Sequence, residues 1–307
     1  MLYLHAHAQS HQWIEAFRSA LPEIRIVGPG DDFEPEQIRW VAAWQPESCL
    51  FNQFPHLEAV FALGAGVDAF LNRDDLAAEV PLVRLQDAGM ARQMFEYIVW
   101  AILRFQRDFD RYAQQQVLAQ WMEHDAREAE QVRVGILGLG ALGQSVAHRL
   151  AKMDYDVAGW KRQPVTLEGI EVFSGDQGLE QLLARSDVLV SLLPDTPSTR
   201  GVLNAQTLAQ LPQGAVVINV ARGAQIEDEA LLALLDSGHL RGAVLDVFHE
   251  EPLPETHAFW HHPRVVVTPH IAAATLIEPA VRQVAANIQR TLQGRPMDGV
   301  VDRDRGY

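Results

Sequence analysis

Apolar positions in this chain fall into short runs separated by amphipathic stretches. In the first 88 residues the runs are LYLHA, IRIVG, RWVAAW, AVFALG and PLVRLQ. Segments with helical spacing, such as QWIEAFRSAL, lie between them. From Val132 the same rhythm returns with VRVGIL, DVAGW, IEVF, DVLVSLL, AVVINV, GAVLDV and RVVVT, and with helical segments at Leu179 to Arg185 and Asp228 to Ser237. Strand and helix in alternation predict parallel α/β sheets, here two of them. Met90 to about Gln116 reads as one long helix crossing from one unit to the other, with Asp108 as its weak point. The last helical pattern, Pro279 to Gln293, follows the final strand and is expected to return to the first unit. The resulting division is a discontinuous domain, residues 1–98 and 280–307, around a second domain, residues 99–279. No internal repeat occurs, and the tail VDRDRGY has no periodicity.

One junction carries chemistry. The run VRVGIL ends in Gly138-Leu139-Gly140-Ala141-Leu142-Gly143, and the helix former QSVAHRLAKM follows. This is G-x-G-x-x-G between a strand and a helix, the context that gives the motif its meaning. The first glycine allows a tight turn, the second lets backbone approach a pyrophosphate, and the third lets helix and strand pack closely. Phosphates then meet free N–H groups and the positive end of the helix dipole. A second glycine turn, Leu63-Gly64-Ala65-Gly66, follows a strand of the first domain. Its N–H groups suit a small carboxylate, and the same glycines equally suit a plain tight turn.

Composition narrows the partners. With 25 basic against 40 acidic residues the net charge is -15, which argues against nucleic acid and anionic membrane surfaces. The single cysteine, Cys49, cannot form an internal disulfide, which suits the reducing cytoplasm. The N-terminal stretch has no basic, then apolar, leader pattern, and the apolar helix near Tyr97 to Leu103 is too short to span a bilayer. His5 and His7 alternate on the first strand and His261 and His262 precede Pro263. None has a partner at metal-ligand spacing, so no metal site is expected. Gln114 to Glu130 is polar with outlying Tyr112 and Trp121. It fits either a solvated helix and loop or an arm that packs on a second subunit.

In a doubly wound sheet, ligands bind beyond the carboxyl ends of the strands. At those ends stand Leu193 and Pro194, then Val220, Ala221 and Arg222, then Glu250 and Glu251, then Pro269 and His270. An arginine, a carboxylate and a histidine on three successive strand ends suit hydride transfer to a carbonyl. The oxygen gains negative charge and must take a proton, and an imidazole titrates near working pH. A carboxylate beside an imidazolium stabilises and orients it, the role for Glu251. Arg222 can grip an oxo-acid by two parallel hydrogen bonds. After DVAGW an NAD enzyme would place an acid on the ribose, but here stand Trp160, Lys161 and Arg162. Two cations welcome a 2′-phosphate, and Trp160 or Arg162 can stack on an adenine. NADP(H) is therefore expected as cofactor, with NAD(H) weaker.

The motifs GILGLGALG, SLLPDTPSTRG, INVARG, LDVFHEEPLP and VTPHIA occur in that order over nearly the whole chain. In them the sequence resembles the D-isomer-specific 2-hydroxyacid dehydrogenases. FALGAGVD, DAGMARQMFEY, the basic loop and the ending VDRDRGY resemble a bacterial branch of that family. The resemblance implies a Rossmann NAD(P)-binding domain beside a flavodoxin-like substrate domain, both doubly wound. It implies a cytosolic homodimer that reduces the small 2-oxo acids glyoxylate and hydroxypyruvate with NADPH. The family's catalytic trio falls on Arg222, Glu251 and His270, its carboxylate-binding backbone on Gly64, Ala65 and Gly66, and its nicotinamide neighbour on Asp246. Trp44 also matches the branch and fits either a pocket wall or a core. The competing readings are an NAD-linked dehydrogenase of D-lactate or D-3-phosphoglycerate, and a nucleotide-sensing scaffold without turnover.

Overall fold

The computed structural model describes residues 1–6, 10–71 and 73–306. The chain divides into two compact units, Met1–Met90 with Thr275–Tyr307, and Ala91–Ala274. These junctions fall a few residues before the expected ones. The reason is packing: the helix starting at Met90 buries Met94, Ile98, Ala101, Ile102 and Phe105 in the second unit's core, so it goes there whole.

The first unit holds β1 (Leu2–His5), α1 (Ser10–Ala20), β2 (Ile26–Val27), β3 (Trp40–Ala43), β4 (Ala59–Ala62) and β5 (Leu82–Val83). His7, expected on the first strand, lies outside the described residues. The strands are parallel, in the order β2-β1-β3-β4-β5, which is the flavodoxin-like order. Every residue of β1, β3 and β4 is buried, as a sheet covered on both faces requires. One face packs Tyr3, Val41 and Val60 against Phe51, Phe54 and Phe70 from the loops. Elsewhere in the unit α1 packs on the C-terminal helix (Ile277–Leu292). That helix buries Ala280, Val281, Val284, Ala285 and Ile288, a single stripe at helical spacing. Val300, just before the tail VDRDRGY, pairs antiparallel with Val83 of β5.

The second unit opens with α2 (Met90–Gln106) and α3 (Phe109–Val117). The break falls at Asp108, whose φ of 54° is left-handed, a region that aspartate tolerates better than most residues. Arg241 donates to Asp108 at 2.5 Å and to Asp110 at 2.6 Å, which holds the break in place. Then come β6 (Arg133–Leu137), α4 (Ala141–Ala151), β7 (Asp156–Lys161), β8 (Glu171–Ser174), α5 (Gly175–Arg185), β9 (Val188–Ser191), α6 (Ala205–Leu208), β10 (Ala215–Asn219), α7 (Asp228–Asp236), β11 (Leu240–Leu245) and β12 (Val265–Val267). All strands are parallel, in the order β8-β7-β6-β9-β10-β11-β12. This is the doubly wound dinucleotide order extended by one strand, and it reverses direction between β6 and β9. Among the described residues no helix is long and apolar enough to cross a membrane.

Candidate active site

The glycine loop stands at that reversal. Gly138 has φ +99°, and a Cβ on it would lie 2.6 Å from the Leu192 carbonyl oxygen. A Cβ on Gly143 would lie 1.9 Å from the Gly138 oxygen, so α4 can sit this close only with glycine there. Gly140 is different: nothing lies within 4 Å of its would-be Cβ. The space above it is open, at the residue that caps α4, where a pyrophosphate would approach. Ala141 is exposed and Leu142 half-buried beside it. Leu139 is fully buried and packs on Gly159, so only its backbone faces the loop.

At the end of β7 the expectation needs correction at one residue. Trp160 is 3% exposed, packed among Leu137, Leu182 and Leu189, and its indole N–H donates to the Gly175 carbonyl at 2.8 Å. It is a core residue and offers no ring face to an adenine. The sheet is covered on both faces, so Val157 to Trp160 are all buried and only at Lys161, half-buried, does the strand begin to emerge. Arg162 is exposed, with its guanidinium carbon 5.9 Å from the Trp160 ring and a long bond of 3.4 Å to the Ser198 carbonyl. Among the described residues no carboxylate pairs with Lys161 or Arg162. Two cations without acids beside an open glycine turn fit a phosphorylated dinucleotide.

The remaining strand ends are tied to one another. The buried Gln225 accepts from Ser191 at 2.5 Å and donates to the Leu193 carbonyl at 2.7 Å, joining the end of β9 to the turn after Arg222. Val220 and Ala221 are buried, and Asn219 fixes their turn by accepting from the Ala221 N–H and donating to the Arg222 carbonyl. A Cβ on Gly223 would lie 1.9 Å from the Phe248 carbonyl carbon, so this glycine lets the Arg222 turn touch the start of the Glu251 loop. Glu251 accepts from the Phe248 N–H at 3.0 Å and, through its other oxygen, pairs with His270 Nδ1 at 2.8 Å. A carboxylate only accepts, so Nδ1 carries the proton and Nε2 is the nitrogen that this pairing leaves for chemistry. His270 has φ 55°, a costly conformation for a side chain of its size, and its N–H donates to the Asp246 carbonyl at 2.8 Å.

Asp246 itself is fully buried. Its carboxylate accepts from Thr268 Oγ at 2.5 Å and from the N–H groups of Ile271 and Ala272, each at 2.8 Å. Its visible work is therefore to hold the His270 loop from both sides. Thr268 Oγ is in turn 2.5 Å from the Tyr97 hydroxyl, whose pKa is pushed up to about 12 chiefly by burial. Since Thr268 donates to Asp246, Tyr97 must donate to Thr268. Asn219, Gln225, Thr268 and Tyr97 escaped the sequence reading. A polar residue inside an apolar run was the only signal for them.

In the first unit the Gly64 turn is also organised. A Cβ on Gly64 would lie 2.4 Å from the Trp44 ring, which thus lies against the turn while remaining 40% exposed. The N–H groups of Gly64, Ala65 and Gly66 donate to no group among the described residues, as an anion nest requires. No group of three His, Cys, Asp or Glu side chains among the described residues is placed to hold a metal ion.

The comparisons with known proteins agree with this geometry. The sequence profile of the D-isomer specific 2-hydroxyacid dehydrogenase NAD binding domain matches residues 99–272. The chain is 43% identical to glyoxylate/hydroxypyruvate reductase A of Yersinia enterocolitica and 41% identical to that of Serratia proteamaculans, covering 100% of this chain and 99% of each relative. Among solved structures it is similar to a D-isomer specific 2-hydroxyacid dehydrogenase from Xanthobacter autotrophicus Py2 in complex with NADPH (TM-score 0.96, 41% identity, 100% of this chain and 99% of that one). It is also similar to the NADPH-dependent glyoxylate/hydroxypyruvate reductase of Sinorhizobium meliloti with NADP (TM-score 0.94, 36% identity, 100% and 99% covered). From its glycine loop to its Glu251–His270 pair, this chain belongs to the D-isomer-specific 2-hydroxyacid dehydrogenase family.

Proposed function

We propose that this protein reduces glyoxylate to glycolate and hydroxypyruvate to D-glycerate with NADPH. The observation that carries the reading is the Glu251–His270 pair at 2.8 Å, which leaves one imidazole nitrogen free at a strand end. Bound NADPH supplies the hydride. His270 gives its Nε2 proton to the carbonyl oxygen as charge develops there, and Glu251 stabilises and orients the ring that gives it. Arg222 grips the oxo-acid and polarises its carbonyl. The N–H groups of Gly64, Ala65 and Gly66 bind the substrate carboxylate, and Trp44 limits substrate bulk. Lys161 and Arg162 hold the 2′-phosphate. The Gly138–Gly143 turn holds the pyrophosphate, and Leu193, Pro194, Val220 and Ala221 line the rest of the cofactor. NADPH is the preferred cofactor, and NADH serves more weakly. The names of the curated relatives and the NADPH found in similar structures support this reading.

We further infer a cytoplasmic homodimer. The free cysteine, Cys49, suits a reducing compartment. A run of exposed apolar side chains, Val117, Leu118, Trp121 and Met122, suits contact with a second copy. The test of the activity is initial rates on glyoxylate, hydroxypyruvate and pyruvate, each with NADPH and with NADH. Turnover of the first two with NADPH is expected to exceed every other combination. A protein that turns over only with NADH, or not at all, does not have this function.

A further inference from the structure

Asp228 opens α7 and has no part in the chemistry described so far. Its carboxylate is half-buried, and burial pushes it above the ordinary carboxylate range, with His249 and His257 opposing that push. Its neighbours on the chain, Glu227 and Glu229, are acids. What faces it from outside its helix are those two histidines. His249 Nε2 lies 3.6 Å from one carboxylate oxygen and His257 Nε2 lies 3.3 Å from the other. Other bonds fix where the protons are. His257 Nδ1 accepts from the Phe259 N–H, so its proton sits on Nε2 and points to Asp228. His249 Nε2 is 2.7 Å from the Ile226 carbonyl, which only accepts, so its proton goes there and its approach to Asp228 is a contact without a hydrogen bond.

Both histidines belong to one loop, the irregular stretch between the end of β11 and the short helical turn at Ala258–Trp260. Glu250, Glu251 and Pro252 at its tip are exposed and have no core to hold them. Glu251 lies between the two histidines in the chain, so the loop is held on one side by the Asp228–His257 pair and on the other by the bond from His249 to the Ile226 carbonyl. We propose that Asp228 is a positioning residue that fixes Glu251, and through it His270, by holding the His257 arm of this loop. The inference rests on the reading of Glu251 and His270 as the proton-delivering pair.

The test is a double-mutant cycle in the full-length protein, read as kcat and as the Kd for NADPH. Asp228→Ala is expected to lower kcat by about ten- to a hundredfold, the scale of a small misplacement of a reacting group, with NADPH affinity unchanged. Asp228→Asn keeps an acceptor oxygen and is expected to retain most of the turnover. In a Glu251→Gln background Asp228→Ala should cost nothing further, since its effect passes through Glu251. A general loss of structure would instead add to the loss from Glu251→Gln. Parental kcat in Asp228→Ala beside an impaired Glu251→Gln overturns this inference alone, and so does full additivity. A silent Glu251→Gln overturns the pair itself and this inference with it. Should Asp228→Ala fail to fold, His257→Phe removes the Nε2 donor that Asp228 holds and goes through the same cycle with the same outcomes.

Discussion

At the residue scale, direction matters more than identity. The Nδ1–H of His270 is committed to Glu251, so Nε2 alone is available to a substrate. His270→Asn is expected to leave NADPH affinity near the parental value and to lower turnover by about a hundred- to ten-thousandfold, the usual share of general acid catalysis. Near-full turnover at neutral pH in this variant would remove His270 from the mechanism. Residue type made His270 and Glu251 visible in the sequence, because few side chains combine those chemistries at a strand end. Trp160 was misread for the opposite reason. Beside two cations it suggests an adenine platform, but β7 is covered on both faces, which buries it, and the Gly175 carbonyl takes its N–H.

At the scale of elements, the turn after β7 is where the proposed cofactor selectivity can be tested. Lys161 and Arg162 stand at the end of β7 without carboxylate partners among the described residues. The double change Lys161→Ala, Arg162→Ala is expected to weaken NADPH by at least about tenfold to a hundredfold, since hydrogen bonds to charged groups are among the stronger ones. NADH binding should hardly move. Dissociation constants for both cofactors decide the matter, and equal losses would mean that the loop supports only the shared adenosine. The stretch after α3 allows a second test. It folds back on that helix, with Gln115 donating to the Met122 carbonyl and His124 bonded to Gln115 and Tyr112, yet it leaves Trp121 97% exposed. On the proposed dimer, Trp121→Ser is expected to shift the mass toward that of a monomer in light scattering at low micromolar concentration. An unchanged mass would exclude this stretch as the main contact.

At the scale of the whole molecule, 40 acids against 25 bases make the acid limb of stability informative. Asp187, just before β9, is the main clasp at the foot of the second sheet. Burial alone would raise its carboxyl, but the side chain and N–H of Arg133 and the side chain of Arg127 outweigh it and hold the pKa below the ordinary value. A lowered carboxylate pKa stabilises the fold above the unfolded value, near pH 4, and that stability is lost as pH falls through the lowered one. Asp187→Asn is therefore expected to cost about 1–2 kcal/mol at pH 7, discounted because both arginines are more than a third exposed. The gap from the parent should close toward pH 3 in denaturant titrations. A gap that persists undiminished there would mean packing, not charge, is what the substitution disturbs.

Local order was written in the chain itself. Apolar runs at strand length, amphipathic segments between them and glycines at one strand-to-helix turn specify both α/β units, because hydrophobic periodicity and φ preference act within a few residues. The same locality made Arg222 and His270 candidates, since each stands three residues past a strand, and Glu251 follows β11 at the greater distance of a loop. What lay beyond reach depends on residues distant in sequence. The break at Asp108 could be read from the chain, but not the clasp that Arg241 makes on it from β11. The His270 loop is shaped by Asp246, Thr268 and Tyr97, which come from three separate elements. Only the folded chain decided which buried polar atoms would meet, since a hydrogen bond needs its two partners within about 3 Å and no spacing along a sequence fixes that.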